Sequence, residues 1–143
     1  MTAEATHTNA IEKTLELEAS VPKVWAALTD PSQLGAWFPD RVEDLPPQVG
    51  SEGWLVWEDH GRYAIEIDSI EPENRLVWRW ARKSETALEG GYNTTVEWTL
   101  TPRDDGGTTL HLVEHGFKSD GDREQNAGGW NHELGELVEH LKD

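Results

Sequence analysis

Gly128-Gly129-Trp130-Asn131-His132-Glu133-Leu134-Gly135-Glu136-Leu137-Val138-Glu139-His140-Leu141-Lys142 is the stretch on which the fold turns. Trp130, Leu134, Leu137, Val138 and Leu141 recur at steps of four, three, one and three, which places them on one stripe of an α-helix. Glu133, Glu136, Glu139 and Lys142 fall off that stripe. Fully buried, the tryptophan and the leucines would each contribute roughly 2–3 kcal/mol, so the segment reads as a closing element that needs a partner surface. Gly128 and Gly129 are poor helix formers, and they are expected to let the backbone approach a sheet or a ligand closely. The leucines read as core, and Trp130 as shared between core and pocket.

Upstream, the periodicity is mostly that of strands. Ile11, Lys13, Leu15, Leu17 and Ala19 alternate with Glu12, Thr14, Glu16 and Glu18, as in a half-buried strand. Ser20 is placed to cap a helix with Pro22 in its first turn and Val21, Val24, Trp25 and Leu28 on one face; Pro31 stops it. Ser32 to Phe38, with Leu34, Trp37 and Phe38 apolar, predicts a second short helix ended by Pro39. Strand patterns follow at Arg41–Leu45, Trp54–His60, Tyr63–Ile67, Leu76–Ala81, Thr94–Leu100 and Thr108–Glu114, punctuated by Pro46-Pro47, Gly61, Pro72, Asn74 and Asp105-Gly106-Gly107. Residues 82 to about 92 read as an irregular loop, and residues 117 to about 122 as a polar loop before the closing helix.

The order is strand, two helices, about six antiparallel strands, long helix. Strands with one wet face need a cover for the other, and only the terminal helix is long enough to supply it. The fold class expected is therefore α+β, in a helix-grip arrangement with residues 11–143 as a single domain behind a disordered lead-in at residues 1–10.

Composition narrows the function classes. Twenty-eight Asp and Glu against twelve Lys and Arg give a formal charge of −16, which repels phosphate backbones, so nucleic acid is not expected as a partner. The chain has no Cys, hence no disulfides or thiolate metal ligands, and no apolar run long enough for membrane insertion. The expectation is a soluble cytoplasmic protein. Eight Trp in so polar a chain must be housed in a core or a pocket.

No Gly-x-Ser-x-Gly elbow, phosphate loop or His-Glu-x-x-His is present, so no catalytic residue is assigned. His111 and His115 would lie roughly 13 Å apart along a strand, and His132 and His140 roughly 12 Å apart along a helix, too far in either pair to share an ion. No metal or other cofactor is expected.

Several segments together carry a resemblance: Ala19-Ser20-Val21-Pro22-Lys23-Val24-Trp25, Thr29-Asp30-Pro31 with Leu34 and Trp37-Phe38, Arg75-Leu76-Val77-Trp78, Gly107-Thr108-Thr109-Leu110, His115-Gly116-Phe117 and Gly129-Trp130. In this order and spacing they resemble the START-like (SRPBCC) superfamily, and most closely its branch similar to the C-terminal domain of the activator of heat-shock protein 90 ATPase. The resemblance covers residues 11–142. It implies a cavity between sheet and C-terminal helix, used across the superfamily for lipids, sterols, polyketides and hormones and in some members for cyclase or dehydratase chemistry. It also implies a chaperone as an alternative partner. The co-chaperones of that branch carry a separate N-terminal domain, which these residues do not hold.

Within such a cavity, strand parity turns Tyr63, Trp78, Trp80 and Trp98 inward, where plain core and ligand contact are equally open. Glu114 continues the inward register of Leu110 and Leu112 to the strand end and is expected at the cavity mouth, with a solvated strand end as the alternative. The candidate ligand contacts are Trp37, Tyr63, Trp78, Trp80, Trp98, Leu112, Glu114, Trp130 and Leu134. The first function expected is non-catalytic binding of a small apolar or aromatic molecule, the second a co-chaperone-like protein interaction, the third cyclase- or dehydratase-type catalysis. With Glu114 at the mouth, a ligand with a cationic or hydrogen-bond-donating group is expected.

Overall fold

The computed structural model describes residues 10–142. The lead-in expected at residues 1–10 therefore lies, Ala10 apart, outside the described residues. Seven strands, β1 (Ile11–Leu17), β2 (Arg41–Glu43), β3 (Glu52–Trp57), β4 (Gly61–Glu71), β5 (Arg75–Ala81), β6 (Asn93–Pro102) and β7 (Thr108–His115), form one sheet in the order β1-β7-β6-β5-β4-β3-β2. Every pairing is antiparallel, and β1 and β2 are the free edges. Three helices complete the chain: α1 (Val21–Thr29), α2 (Pro31–Trp37) and α3 (Asp120–Leu141).

The alternation read in the sequence becomes the two faces of this sheet. Leu110, Leu112 and Glu114 of β7 and Val96, Trp98 and Leu100 of β6 are buried on the face that packs with Trp130, Leu134, Leu137 and Leu141 of α3. The expected helix-grip arrangement is thus present, with the terminal helix laid against one sheet. The opposite face carries cross-strand ion pairs such as Arg79–Glu66 and Arg75–Glu97. There His111 and His115 meet Glu12 and Glu97 respectively. Part of that face is covered by the 82–92 loop, whose Leu88 packs with Ala64, Ala81 and Trp54.

Local chemistry sets the helix ends. Asp30 caps α2 by accepting from the Ser32 N–H at 3.0 Å, with Pro31 in the first turn. Ser20 holds the N-cap position of α1, but its side chain makes no capping bond. Helix α3 begins at Asp120, inside the stretch expected as a polar loop to about residue 122, because Ser119 caps it by accepting from the Asp122 N–H at 3.1 Å and Asp120 and Asp122 complement the helix dipole. Gly128 and Gly129 are interior helical residues, and a Cβ at either would meet nothing closer than the Asn126 Oδ1, 4.0 Å from the Gly129 position. They do not mark a close approach to the sheet. That role belongs to Gly53, where a Cβ would stand 2.3 Å from the Glu43 carbonyl oxygen.

No helix among the described residues is long and apolar enough to cross a membrane.

Candidate functional site

Between the end of β5, the β3–β4 hairpin and the middle of α3 lies a cavity of about 310 Å³. Its apolar wall is aromatic: Phe38, just after α2, with Trp57, Tyr63, Trp80 and Trp130. Phe38 and Trp130 stack with centroids 5.4 Å apart and planes 11° from parallel, and Trp80 stacks on Trp130 at 5.7 Å and 28°. Trp57 turns its ring edge-to-face to both Phe38 and Tyr63. Such geometries are those aromatic pairs prefer, so the wall is preorganised. The remaining lining is Ala81 and the polar residues His60, Arg82, Asn126 and Glu133, with the bare backbone of Gly129 between the last two.

Behind this wall, not at its mouth, stands Glu114. Its side chain is fully buried, and the parity argument that turned it inward holds. Oε2 accepts from Trp80 Nε1 at 2.7 Å and from Thr94 Oγ1 at 2.5 Å. Oε1 accepts from Trp130 Nε1 at 2.7 Å and from Asn126 Nδ2. Four donors on two oxygens satisfy the carboxylate without any ligand, which is what burial of such a group demands. Both stacked indoles of the cavity wall are thereby held through their N–H groups by one side chain. The expected place at the cavity mouth is corrected: Glu114 orients the wall and does not reach the cavity.

The cavity's own carboxylate is Glu133. Burial raises it, as do the nearby Glu136 and Asp40 carboxylates, against the opposing influence of His132 and a hydrogen bond with Trp57, from an ordinary 4.5 to about 7. Glu133 also borders a second, more polar depression formed with Asp40, His132 and Glu136. At the other end of the cavity Arg82 donates from Nη2 to Asn126 Oδ1 at 3.2 Å, so Asn126 links the guanidinium to Glu114.

Of the nine candidate contacts, Tyr63, Trp80 and Trp130 line the cavity. Trp78, Trp98, Leu112 and Leu134 are packed in the core beneath it, with Trp78 and Trp98 in mutual ring contact at 5.6 Å. Trp37 is buried as well, its Nε1 donating to the Ala27 carbonyl at 2.8 Å; it borders only the polar depression. Inward parity alone does not separate these two groups, because Trp78 and Trp80 share a face and only the second lies at the open end. Phe38, Trp57, His60, Ala81, Arg82, Asn126, Gly129 and Glu133 also line the cavity and were not among the candidates. Glu133 was legible as the helical position beside the Trp130–Leu134 stripe, and Arg82 as the residue that follows β5. Among the described residues no group of three or more His, Asp or Glu is placed to hold a metal ion.

A family model described as Activator of Hsp90 ATPase homolog 1-like protein matches residues 18–142. Among solved structures, DynU16, a protein in the dynemicin biosynthetic locus, is 28% identical with a TM-score of 0.80, covering 94% of this chain and 47% of its own. The present chain thus spans about half the length of DynU16. CalU16 from Micromonospora echinospora is 27% identical with a TM-score of 0.74, covering 92% of this chain and 75% of its own. Protein MLL2253 from Mesorhizobium loti, 24% identical with a TM-score of 0.78 over 93% of this chain and 96% of its own, shares the fold. No curated protein sequence matches.

Proposed function

The chain belongs to the activator of Hsp90 ATPase homolog 1-like family, and from that premise we propose that it is a non-catalytic binding domain for a small, flat aromatic molecule held in the cavity between sheet and α3. The observation that carries this reading is the stacked set of Phe38, Trp80 and Trp130 beside a polar rim. Small-molecule sites are mostly apolar and aromatic with a few placed polar groups, and about 310 Å³ falls at the small end of their range. The rings are fixed before any ligand arrives, by mutual stacking and by Glu114, so little ordering opposes binding. Tyr63, Trp80 and Trp130, with Phe38 and Trp57, are the proposed contacts.

The test is a screen of flat bicyclic aromatics by tryptophan fluorescence and thermal shift. Binding to the folded state raises the melting temperature with ligand concentration by mass action. Saturable quenching with a matching thermal shift is expected, lost in Trp57→Ala and kept in Trp25→Ala, since Trp25 is partly buried against the core and does not line the cavity. No saturable response from any member of the screen would overturn the reading. The family description carries a second reading, association with a heat-shock protein 90 chaperone. That reading expects the chaperone's ATPase rate to rise when this protein is added, and it needs nothing in the cavity.

A further inference from the structure

The cavity wall contains a guanidinium that has no ion-pair partner among the described residues. Arg41, Arg62, Arg75, Arg79, Arg103 and Arg123 each have a carboxylate within ion-pair distance. Among the described residues Arg82 has none, in a chain where acidic residues outnumber basic ones by 28 to 12. Its backbone is fixed by the Arg82 N–H donating to the Tyr92 carbonyl at 2.9 Å. Its guanidinium lies 5.8 Å from the Phe117 ring centroid and donates once, to the neutral amide of Asn126. A guanidinium has five N–H donors in a planar fork suited to a carboxylate, so the group is left with donors to spare on the wall of a cavity.

Glu114 does not use up this charge, because its two oxygens already take four neutral donors and only Asn126 connects it to Arg82. The cavity is also polarised along its length. Asn126 and Glu133 both line it from α3, seven residues and so roughly 10 Å apart along the helix axis. A bound anion is therefore drawn to the Arg82 end and turned away from the Glu133 end.

We propose that the aromatic ligand is a carboxylate: its ring system lies against Trp80 and Trp130, and its acid group is taken by the Arg82 guanidinium beside Asn126. The inference rests on the cavity reading above and adds the ligand's charge to it. In a chain of charge −16 the surrounding field repels anions, so selection must come from this one local contact. Charge-assisted, bidentate pairing with arginine is strong enough to supply it.

Naphthoate and its neutral isostere naphthamide, titrated into the full chain by tryptophan fluorescence, separate the possibilities. Wild-type protein is expected to bind naphthoate at least about tenfold more tightly than naphthamide. Arg82→Gln is expected to bring the ratio of acid to amide affinity to about one, and Arg82→Lys to retain part of the preference. Equal affinity for acid and amide in the wild type would overturn the carboxylate assignment and leave the cavity reading standing. A preference that survives in Arg82→Gln would overturn the role of Arg82. Binding of neither compound would overturn this inference, while the cavity reading stands or falls with the wider screen. The wild-type ratio needs no variant, so a folding defect in Arg82→Gln does not protect the proposal.

Discussion

From Trp130 to Leu141 helix α3 buries one indole and three leucines against the sheet and the two short helices, whereas from Asp120 to Gly129 it buries no residue at all. Apart from Ala127, which packs partly buried against the core, the first half is held by polar contacts instead. Asp122 accepts from the Tyr92 hydroxyl at 3.0 Å, that hydroxyl accepts from the Lys118 N–H at 2.8 Å, and Asn126 joins Arg82 to Glu114. The difference teaches how one helix both closes a core and borders a cavity: burial supplies cohesion on one side of Trp130, and directed hydrogen bonds leave room for a ligand on the other.

The sharpest way to break this comparison is to truncate a side chain in each half. Leu137 is fully buried, and Leu137→Ala is expected to cost about 4 kcal/mol through lost transfer free energy and the cavity left behind. Gln125→Ala in the exposed first half is expected to stay within about 0.5 kcal/mol. Chemical denaturation measures both, and similar losses at the two positions would show that α3 is not divided as described.

Next in size is the residue that joins the halves. In Glu114→Gln one oxygen becomes an N–H₂ group, which faces the Trp80 or the Trp130 indole N–H, a group that can only donate, whichever way the amide is turned. The expected cost is about 3 kcal/mol, from lost charge-assisted bonds and unsatisfied buried N–H groups. Near-ultraviolet circular dichroism is expected to change without ligand, since Trp80 and Trp130 lose a common anchor. Unchanged stability with an unchanged aromatic spectrum would mean that Glu114 does not organise the wall.

How far this was legible can be judged at particular residues. The period-two pattern of β7 placed Glu114 inward, and the three-to-four pattern after Trp130 placed the core stripe of α3, because both signals depend on neighbours in sequence. The donors to Glu114 come from positions 12 to 34 residues away on β5, β6 and α3, and no local pattern reports that convergence. The first turn of α3, from Asp120, lay in the stretch read as a polar loop to about residue 122, because it carries no apolar residue and depends on the Ser119 cap, while the two interior glycines cost roughly 2 kcal/mol that capping and tertiary packing offset. Arg82 follows the last periodic residue of β5, so its charge was visible and its missing partner was not.

A smaller effect sharpens the comparison at the junction. Because the folded state holds the Glu133 proton up to about pH 7 and the unfolded chain only to the ordinary 4.5, the folded state binds more protons between those values. Stability is therefore expected to fall as pH rises from 4.5 to 7 and then to level off. The full shift corresponds to about 3 kcal/mol, reduced by solvent screening at a half-buried side chain to about 1–2 kcal/mol. Glu133→Gln is expected to stabilise the protein by that amount above pH 7 and to leave it unchanged near pH 4. A gain of equal size at both pH values would show that burial of the charge is not its origin.

The smallest effect separates two adjacent glycines. A Cβ at Gly128 would meet nothing within 4 Å, and Gly128 does not line the cavity. Gly128→Ala is thus expected to add about 1 kcal/mol, the ordinary helix-interior difference, or a few degrees in melting temperature, with ligand affinity unchanged. Gly129 is equally free of steric conflict, its nearest neighbour being the Asn126 Oδ1 at 4.0 Å, and the same gain is expected there. But Gly129 lines the cavity between Asn126 and Glu133, so its added methyl projects where a flat ligand lies along the helix. Gly129→Ala is therefore expected to be as stable as Gly128→Ala and yet to bind several-fold more weakly. Thermal denaturation and fluorescence titration of the two variants side by side decide it: equal affinities would place the ligand away from α3, against the Trp57 and Tyr63 side alone.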